Sequence, residues 1–377
     1  MVVAGAHHVL LVPGFFGFAK LGEFAYFAHV REFLVEALPK LGIRGEVDVV
    51  HTIPTASLER RAALLAQTAA KLMKAKGHGS LSLIGHSSGG LDARLFASPR
   101  TKLPTSVDVE RIASTVRSIV TVATPHFGTP VAHQFSSLFG RQLLKLLSVS
   151  TIYALRAGRL PISVVLRLAG VFRNRKAPAS VVDQLWAQLL HDFSADRRRA
   201  IDKFFSEVGS DRDLLRQITP AATTAFNAST PNRPAVHYGC VVTRARPPGF
   251  RSFLGAGIDP YAHATHSLFV ALYRLASRTR AHQIHVRRDQ IAALSGAYHR
   301  RVDARANDGM VPTLAQVWGE VICAAWADHH DIIGHFDDPT HVPPHFDWVA
   351  SGTGFNRQDF ESVWRDVAAF VAAAALH

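Results

Sequence analysis

Residues 81–90 read Leu81-Ser82-Leu83-Ile84-Gly85-His86-Ser87-Ser88-Gly89-Gly90. A short apolar run leads into a G-x-S-x-G pentapeptide, and Leu91-Asp92-Ala93-Arg94-Leu95-Phe96 continues as a helix would. A strand that turns this sharply into a helix carries its serine on a strained tip, a nucleophile elbow. The glycines belong to that geometry. A side chain at Gly85 or Gly89 would collide with the neighbouring strand or with the departing helix. Ser87 has glycine two residues before and two residues after it; Ser88 does not. Ser87 is therefore the candidate nucleophile, with Gly85, His86 and Gly89 shaping the elbow around it.

A serine hydroxyl attacks poorly at neutral pH unless a histidine takes its proton and a carboxylate fixes that histidine's tautomer. On a strand–elbow–helix fold these partners follow the serine in the order acid, then base. The C-terminal part supplies both. Asn307-Asp308-Gly309-Met310-Val311-Pro312 is polar and turn-forming, and Val321-Ile322-Cys323-Ala324-Ala325-Trp326 reads as a buried strand that runs into Ala327-Asp328-His329-His330-Asp331. By residue type alone His329, His330, His335 and His341 compete for the base, and Asp303 competes with Asp308 for the acid. Asp303 sits in an arginine-rich stretch and reads more simply as a surface ion pair. His86 and His126 read as hydrogen-bonded structural histidines. No H-E-x-x-H or Cys/His spacing suggests zinc.

Further segments align with these in one order. They are His8-Val9-Leu10-Leu11-Val12-Pro13-Gly14-Phe15-Phe16-Gly17, Val122-Ala123-Thr124-Pro125-His126-Phe127-Gly128-Thr129-Pro130, and Ala225-Phe226-Asn227 with Tyr238-Gly239. Together with the elbow, Asn307-Asp308-Gly309 and Asp328-His329-His330-Asp331, the chain resembles the bacterial true lipases of the α/β-hydrolase superfamily from residue 8 to about residue 340. The resemblance implies roles. Ser87 is the nucleophile, Asp308 the triad acid and His329 the base, and the backbone N–H groups of Phe15 and Ser88 form an oxyanion hole. The chain departs from the family at Pro13, where His-Gly is usual. The donor is the next residue's N–H, so the proline is tolerated while the loop's hydrogen bonding differs. The family often holds a structural calcium with an aspartate two residues after the catalytic histidine, a place that Asp331 fits. The glutamine expected four residues later is His335, a poor ligand for a hard cation. Asp289 is the candidate second carboxylate, at a spacing that does not match well. No redox cofactor is implied.

The chain has 377 residues, 48% of them hydrophobic, ample for a large core. Its net charge of +13, from 42 Lys and Arg against 29 Asp and Glu, is spread along the chain. No basic-aromatic motif accompanies it, so the charge reads as a solvated surface with some affinity for an anionic lipid interface, not as a nucleic-acid site. Cys240 and Cys323 lie in apolar, strand-like runs and read as two buried thiols, although neighbouring strands would also allow a bridge. The longest stretch without Asp, Glu, Lys or Arg, 118–140, contains Pro125 and Pro130 and is no transmembrane segment. No signal peptide precedes the first strand, which leaves the compartment open between the cytoplasm and a secreted form with its leader removed.

Strands are expected near 8–12, 47–51, 81–84, 117–123, 236–243 and 320–326, and helices at 24–38, 57–75, 89–97 and 358–375. This alternation predicts an α/β fold, a mainly parallel sheet with helices on both faces. The expected organisation is an α/β-hydrolase core of residues 1–130 and 223–377, with a helical cap or lid inserted at 131–222. Within the insertion, 135–172 is heavily apolar and 181–205 has amphipathic helical spacing. An apolar roof over Ser87 favours an acyl chain. The sequence thus points to a lipase-like carboxylic ester hydrolase. Two other readings remain: a hydrolase of a thioester, amide, phospholipid or polyester, and a non-catalytic lipid-binding protein on the same fold.

Overall fold

The structure, a computed structural model, describes residues 6–15, 26–77, 79–135, 161–173, 179–191, 193–196, 198–199, 213–255, 260–278, 284–342, 344–345, 347 and 349–376. Six strands form one sheet: β1 (Ala6–Val12), β2 (Val47–Val49), β3 (Gly79–His86), β4 (Val116–Val122), β5 (His237–Thr243) and β6 (Glu320–Ala325). Their order across the sheet is β2-β1-β3-β4-β5-β6 and every pair is parallel. All six coincide with the expected strands. The centre of the sheet is β3, whose C-terminal end carries the elbow, so Ser87 emerges between the ends of β1 and β4.

Parallel strands need long crossovers, and helices supply them on both faces. Side chains alternate along a strand, and β1 shows the result. Val9 and Leu11 join one core cluster, and Leu10 and Val12 join another. The first cluster is closed by α1 (Ala28–Lys40) and the C-terminal helix Arg357–Leu376, through Phe27, Val30, Leu34, Trp364, Val367 and Val371. The second is closed by α2 (Leu58–Lys76) and α3 (Ser88–Ala97), through Leu65, Ala66, Ala69 and Phe96. The limits of α2 follow from its sequence. The Ser57 side chain accepts the Arg60 N–H, Glu59 lies in the first turn, Lys74 and Lys76 in the last, and Gly77 ends it at φ +95°.

Three further helices, Phe250–Gly255, Pro260–Ala276 and Arg288–Tyr298, lie between β5 and β6. Of the insertion, the described helices are Pro130–Phe135, Ile162–Arg173, Ala179–His191 and Asp213–Gln217. Ile162–Arg173 packs on Pro260–Ala276, so a helix from after β5 joins the layer above the sheet. Most of the apolar run 135–172 and the end of 181–205 fall outside the described residues. Cys240 and Cys323 are on adjacent strands as free thiols. Among the described residues no helix is long and apolar enough to cross a membrane.

Candidate active site

Ser87 sits at φ +55°, ψ −132°, a conformation that L-residues rarely adopt. The turn is tight enough that glycine is required on both sides. A Cβ on Gly85 would lie 2.4 Å from the Gly90 nitrogen, and one on Gly89 would lie 2.1 Å from the Val12 carbonyl oxygen.

The structure brings Ser87, His329 and Asp308 into one hydrogen-bonded string. Ser87 Oγ lies 3.1 Å from His329 Nε2, and His329 Nδ1 lies 2.8 Å from Asp308 Oδ2. Asp308 is buried and every bond to it fixes its plane. Oδ1 accepts the N–H groups of Met310 and Val311, and Oδ2 accepts Thr243 Oγ1–H and a Gln316 Nε2–H. The His329 backbone N–H donates to the Asp308 carbonyl at 3.0 Å, which ties the two residues together a second time. Asp328 and Asp331 hold the loop that carries His329. Asp328 Oδ1 accepts the His330 and Asp331 N–H groups, and Asp331 Oδ2 accepts the Asp328 N–H. Thr243 and Gln316 escaped the sequence reading, because nothing local marks a threonine or glutamine that meets its partner only through the fold.

The competing residues are elsewhere. His330 is buried with its ring near those of His86 and His335. His341 lies beside His29 and His345. Asp303 caps its own turn, accepting the Arg305 and Ala306 N–H groups. His126 is structural in its contacts. It accepts an Arg94 N–H at Nδ1 and meets Thr121 Oγ1 through Nε2, while Asn227 bonds both Arg94 and the His126 carbonyl. Burial holds the His126 imidazole well below its usual pKa.

The segment Pro13-Gly14-Phe15 passes directly over the elbow. A Cβ on Gly14 would lie 2.5 Å from Ser87 Cβ. Two groups hold this segment, and both escaped the sequence reading. Arg61 of α2 is fully buried; Nη2 donates to the Pro13 carbonyl at 2.7 Å while Nε and Nη2 bind both oxygens of Asp92. Burial pushes the Asp92 carboxyl up to about 6 against the pull of Arg61. A charged residue on the otherwise apolar stripe Leu58, Ala62, Leu65 was the available signal. Tyr26 is the other tether. Its hydroxyl accepts the Gly14 N–H at 3.3 Å and donates to His86 Nδ1 at 2.6 Å. The other ring nitrogen of His86 therefore carries a proton, which it donates to the His329 carbonyl at 2.9 Å. Burial keeps His86 neutral, well below the usual histidine range.

Phe15, Ser87 and His329 line a cavity of about 30 Å³ whose other walls include Val131, Ala132, Leu215, Ile218 and Met310. Ser88, fully buried, is the first residue of α3, so its N–H lies at the positive end of that helix.

Of the candidate calcium ligands, Asp331 is gathered with Asp328 and Asp347, carboxylate oxygens of all three lying within 4.8 Å of one another. Burial and mutual repulsion push Asp331 and Asp347 well above the usual carboxylate range and Asp328 to about 6. An all-oxygen, triply acidic donor set suits a hard divalent cation. Asp289 is not part of it. Its exposed carboxylate pairs with Arg287 at 2.9 Å at the start of Arg288–Tyr298.

The model of a family described as "Putative serine esterase (DUF676)" matches residues 59–159, which include the elbow. No curated protein matches the sequence. Among solved structures, EstA from Clostridium botulinum superposes with a TM-score of 0.53 at 17% identity, over 99% of this chain and 88% of its own. Lipase 1 from Pelosinus fermentans gives 0.53 at 14% identity, over 98% and 99%. Staphylococcus hyicus lipase gives 0.53 at 15% identity, over 98% and 96%. At such identities the likeness is one of fold: the chain has the α/β-hydrolase fold.

Proposed function

We propose that the chain is a serine carboxylic ester hydrolase of lipolytic type, acting on acylglycerols through an acyl-enzyme. The observation that carries this reading is the hydrogen-bonded string Ser87–His329–Asp308 on a strained elbow under apolar walls. Ser87 Oγ attacks the ester carbonyl as His329 Nε2 takes its proton, and Asp308 stabilises the imidazolium without taking the proton itself. The N–H groups of Phe15 and Ser88 receive the developing oxyanion, where each donor contributes about 3–4 kcal/mol. His329 then protonates the leaving alcohol, and water cleaves the acyl-enzyme with His329 again as base.

The cavity of about 30 Å³ has room for a couple of waters and not for an acyl chain. In this reading Pro130–Phe135 and Asp213–Gln217, which carry Val131, Ala132 and Leu215, part to admit an acyl chain. In this reading the insertion is a lid, and 131–222 is the cap of a core built from 1–130 and 223–377.

The test is hydrolysis of p-nitrophenyl esters of increasing chain length and of emulsified triacylglycerol, with Ser87→Ala in parallel. The expected result is cleavage of long-chain esters and loss of about 10⁴-fold or more in kcat in the variant. Retention of activity by Ser87→Ala sinks the mechanism. A preference for thioesters or amides would move the substrate class, and a chain inert to every ester would favour lipid binding without catalysis.

The same reading assigns calcium to Asp328, Asp331 and Asp347, as a structural ion that neutralises three acids beside the base loop. Calcium added to chelator-treated protein should raise the melting temperature, and Asp331→Asn should abolish that rise. An equal rise in the variant would exclude these ligands.

A further inference from the structure

A second cluster of ligating side chains lies apart from Ser87, in a cleft of about 650 Å³ between α1, the C-terminal helix and the loop after the base. His29 comes from the first turn of α1, and His341 and His345 come from the loop. One ring nitrogen of each lies within 4.8 Å of the others. Ring centroids are 3.4 Å apart for His29 and His345, 5.1 Å for His29 and His341, and 4.7 Å for His341 and His345. We propose that His29, His341 and His345 bind one zinc ion, with the fourth position open to the cleft.

The chemistry matches in several respects. Three imidazoles form a borderline-soft nitrogen set that suits zinc better than calcium or magnesium. Tetrahedral zinc at about 2.1 Å from each nitrogen needs nitrogens about 3.4 Å apart, so the rings must rotate to close on the ion. Those rotations also break the parallel stack of His29 on His345, whose lone pairs do not converge as they stand. His345 is already oriented, since its Nδ1–H donates to the Gly334 carbonyl at 2.7 Å and leaves Nε2 for the metal. A backbone carbonyl behind a ligand histidine is a common outer-shell arrangement. Nδ1 of His29 is buried and has no hydrogen-bond partner, and the Glu32 carboxylate stands 3.9 Å from it. Close packing alone would be served as well by phenylalanine or leucine and would leave no orphaned nitrogen.

Half of this signal escaped the sequence reading, which found no zinc spacing: His341 and His345 have the H-x₃-H spacing of zinc ligands, while the third ligand is some three hundred residues earlier. The ion would join the start of α1 to the loop that continues from His329. Gly334, at φ +103°, is where the two meet; a Cβ there would stand 3.1 Å from the His29 ring.

The experiment is titration of metal-free full-length chain with zinc against a chromophoric chelator, repeated for His29→Ala, His341→Ala and Asp347→Asn. One tight equivalent is expected, weakened in each histidine variant by more than about 100-fold, beyond the effect of losing an outer-shell partner. Asp347→Asn should bind zinc unchanged, which separates this site from the carboxylate cluster. Cobalt(II) in place of zinc should give the visible bands of a tetrahedral ion, absent from His341→Ala. His341 is on a loop and only partly buried, so its variant tests binding without removing core. Absence of a tight equivalent, or the same affinity in both histidine variants, overturns the proposal.

Discussion

One hydroxyl, that of Tyr26, joins the Gly14 N–H, His86 and through it the His329 carbonyl. It thus sets the Pro13-Gly14-Phe15 segment and the His329 loop relative to each other without touching Ser87 Oγ or the His329 ring. Tyr26→Phe keeps the buried ring and its edge contact with Phe27 and removes only this link. Two groups lose a partner, at a cost of about 1–3 kcal/mol in stability. The expected kinetic result is a kcat about tenfold lower with KM little changed, since a displaced donor acts mainly on the transition state. A lower melting temperature with unaltered kcat would make Tyr26 a packing residue only. The contrast between this tyrosine and Ser87 shows what the sequence can carry. Ser87 is marked by its own neighbours, because the elbow needs glycine at fixed offsets; Asp308 stands in a short polar, turn-forming string, and His329 in a short string just after β6. Tyr26, Arg61 and Thr243 act across 31 to 65 residues on partners that only the fold brings near, and Gln316, eight residues from Asp308, lies in a stretch whose turn no residue type announces, so no local pattern names them.

At the level of elements, all six strands were legible because apolar runs of the right length were bounded by turns. The helix Arg288–Tyr298 was not. It begins at Arg287, whose N–H is accepted by the Gln290 side chain, and ends at His299 in the left-handed region. Neither end bears the Ser, Asp or Gly that usually marks a helix boundary. Phe250–Gly255 is only six residues long, too short to show a helical period. Phe250 is 76% and Leu254 57% exposed, an unusual outlay of large apolar surface on a six-residue helix. A lipolytic enzyme has a use for it as a foothold in a lipid interface, where each such side chain contributes about 1.5–3 kcal/mol if fully buried. Phe250→Ser with Leu254→Ser should therefore cut activity on emulsified triacylglycerol by about tenfold or more and leave a dissolved short-chain ester unaffected. Equal effects on both substrates would assign the helix to the fold and not to the interface.

Across the whole molecule, the sheet ends enclose histidines that are stable only when neutral. His7 bonds Ser80 and Ser82 at 2.7 and 2.8 Å, and burial holds its imidazole down to about 4. His86 and His126 are fully buried and lie well below 6.5 for the same reason. In the unfolded chain each titrates near its usual value of about 6.5. As pH falls below that, the unfolded state takes up protons that the folded state refuses. Each of these groups then withdraws up to about 1.4 kcal/mol of stability per pH unit until its folded pKa is reached. Asp92 and Asp328, raised to about 6, and Asp331 and Asp347, raised well above the usual range, act in the opposite sense, but among the described residues five further histidines, His29, His266, His330, His335 and His345, are also held down, so eight imidazoles stand against four carboxylates. The net charge of +13, already positive at pH 7, rises further as carboxylates protonate, and self-repulsion adds to the loss. Urea midpoints should therefore fall steadily from about pH 7 to about pH 4.5, with the steepest part below about 6.5. Replacing His7 with glutamine, which can still bond Ser80 or Ser82 and cannot titrate, should flatten the slope by about one proton's worth. A slope identical to that of the parent chain would show that His7 is already protonated in the fold, and the acid sensitivity would then rest on the other buried histidines.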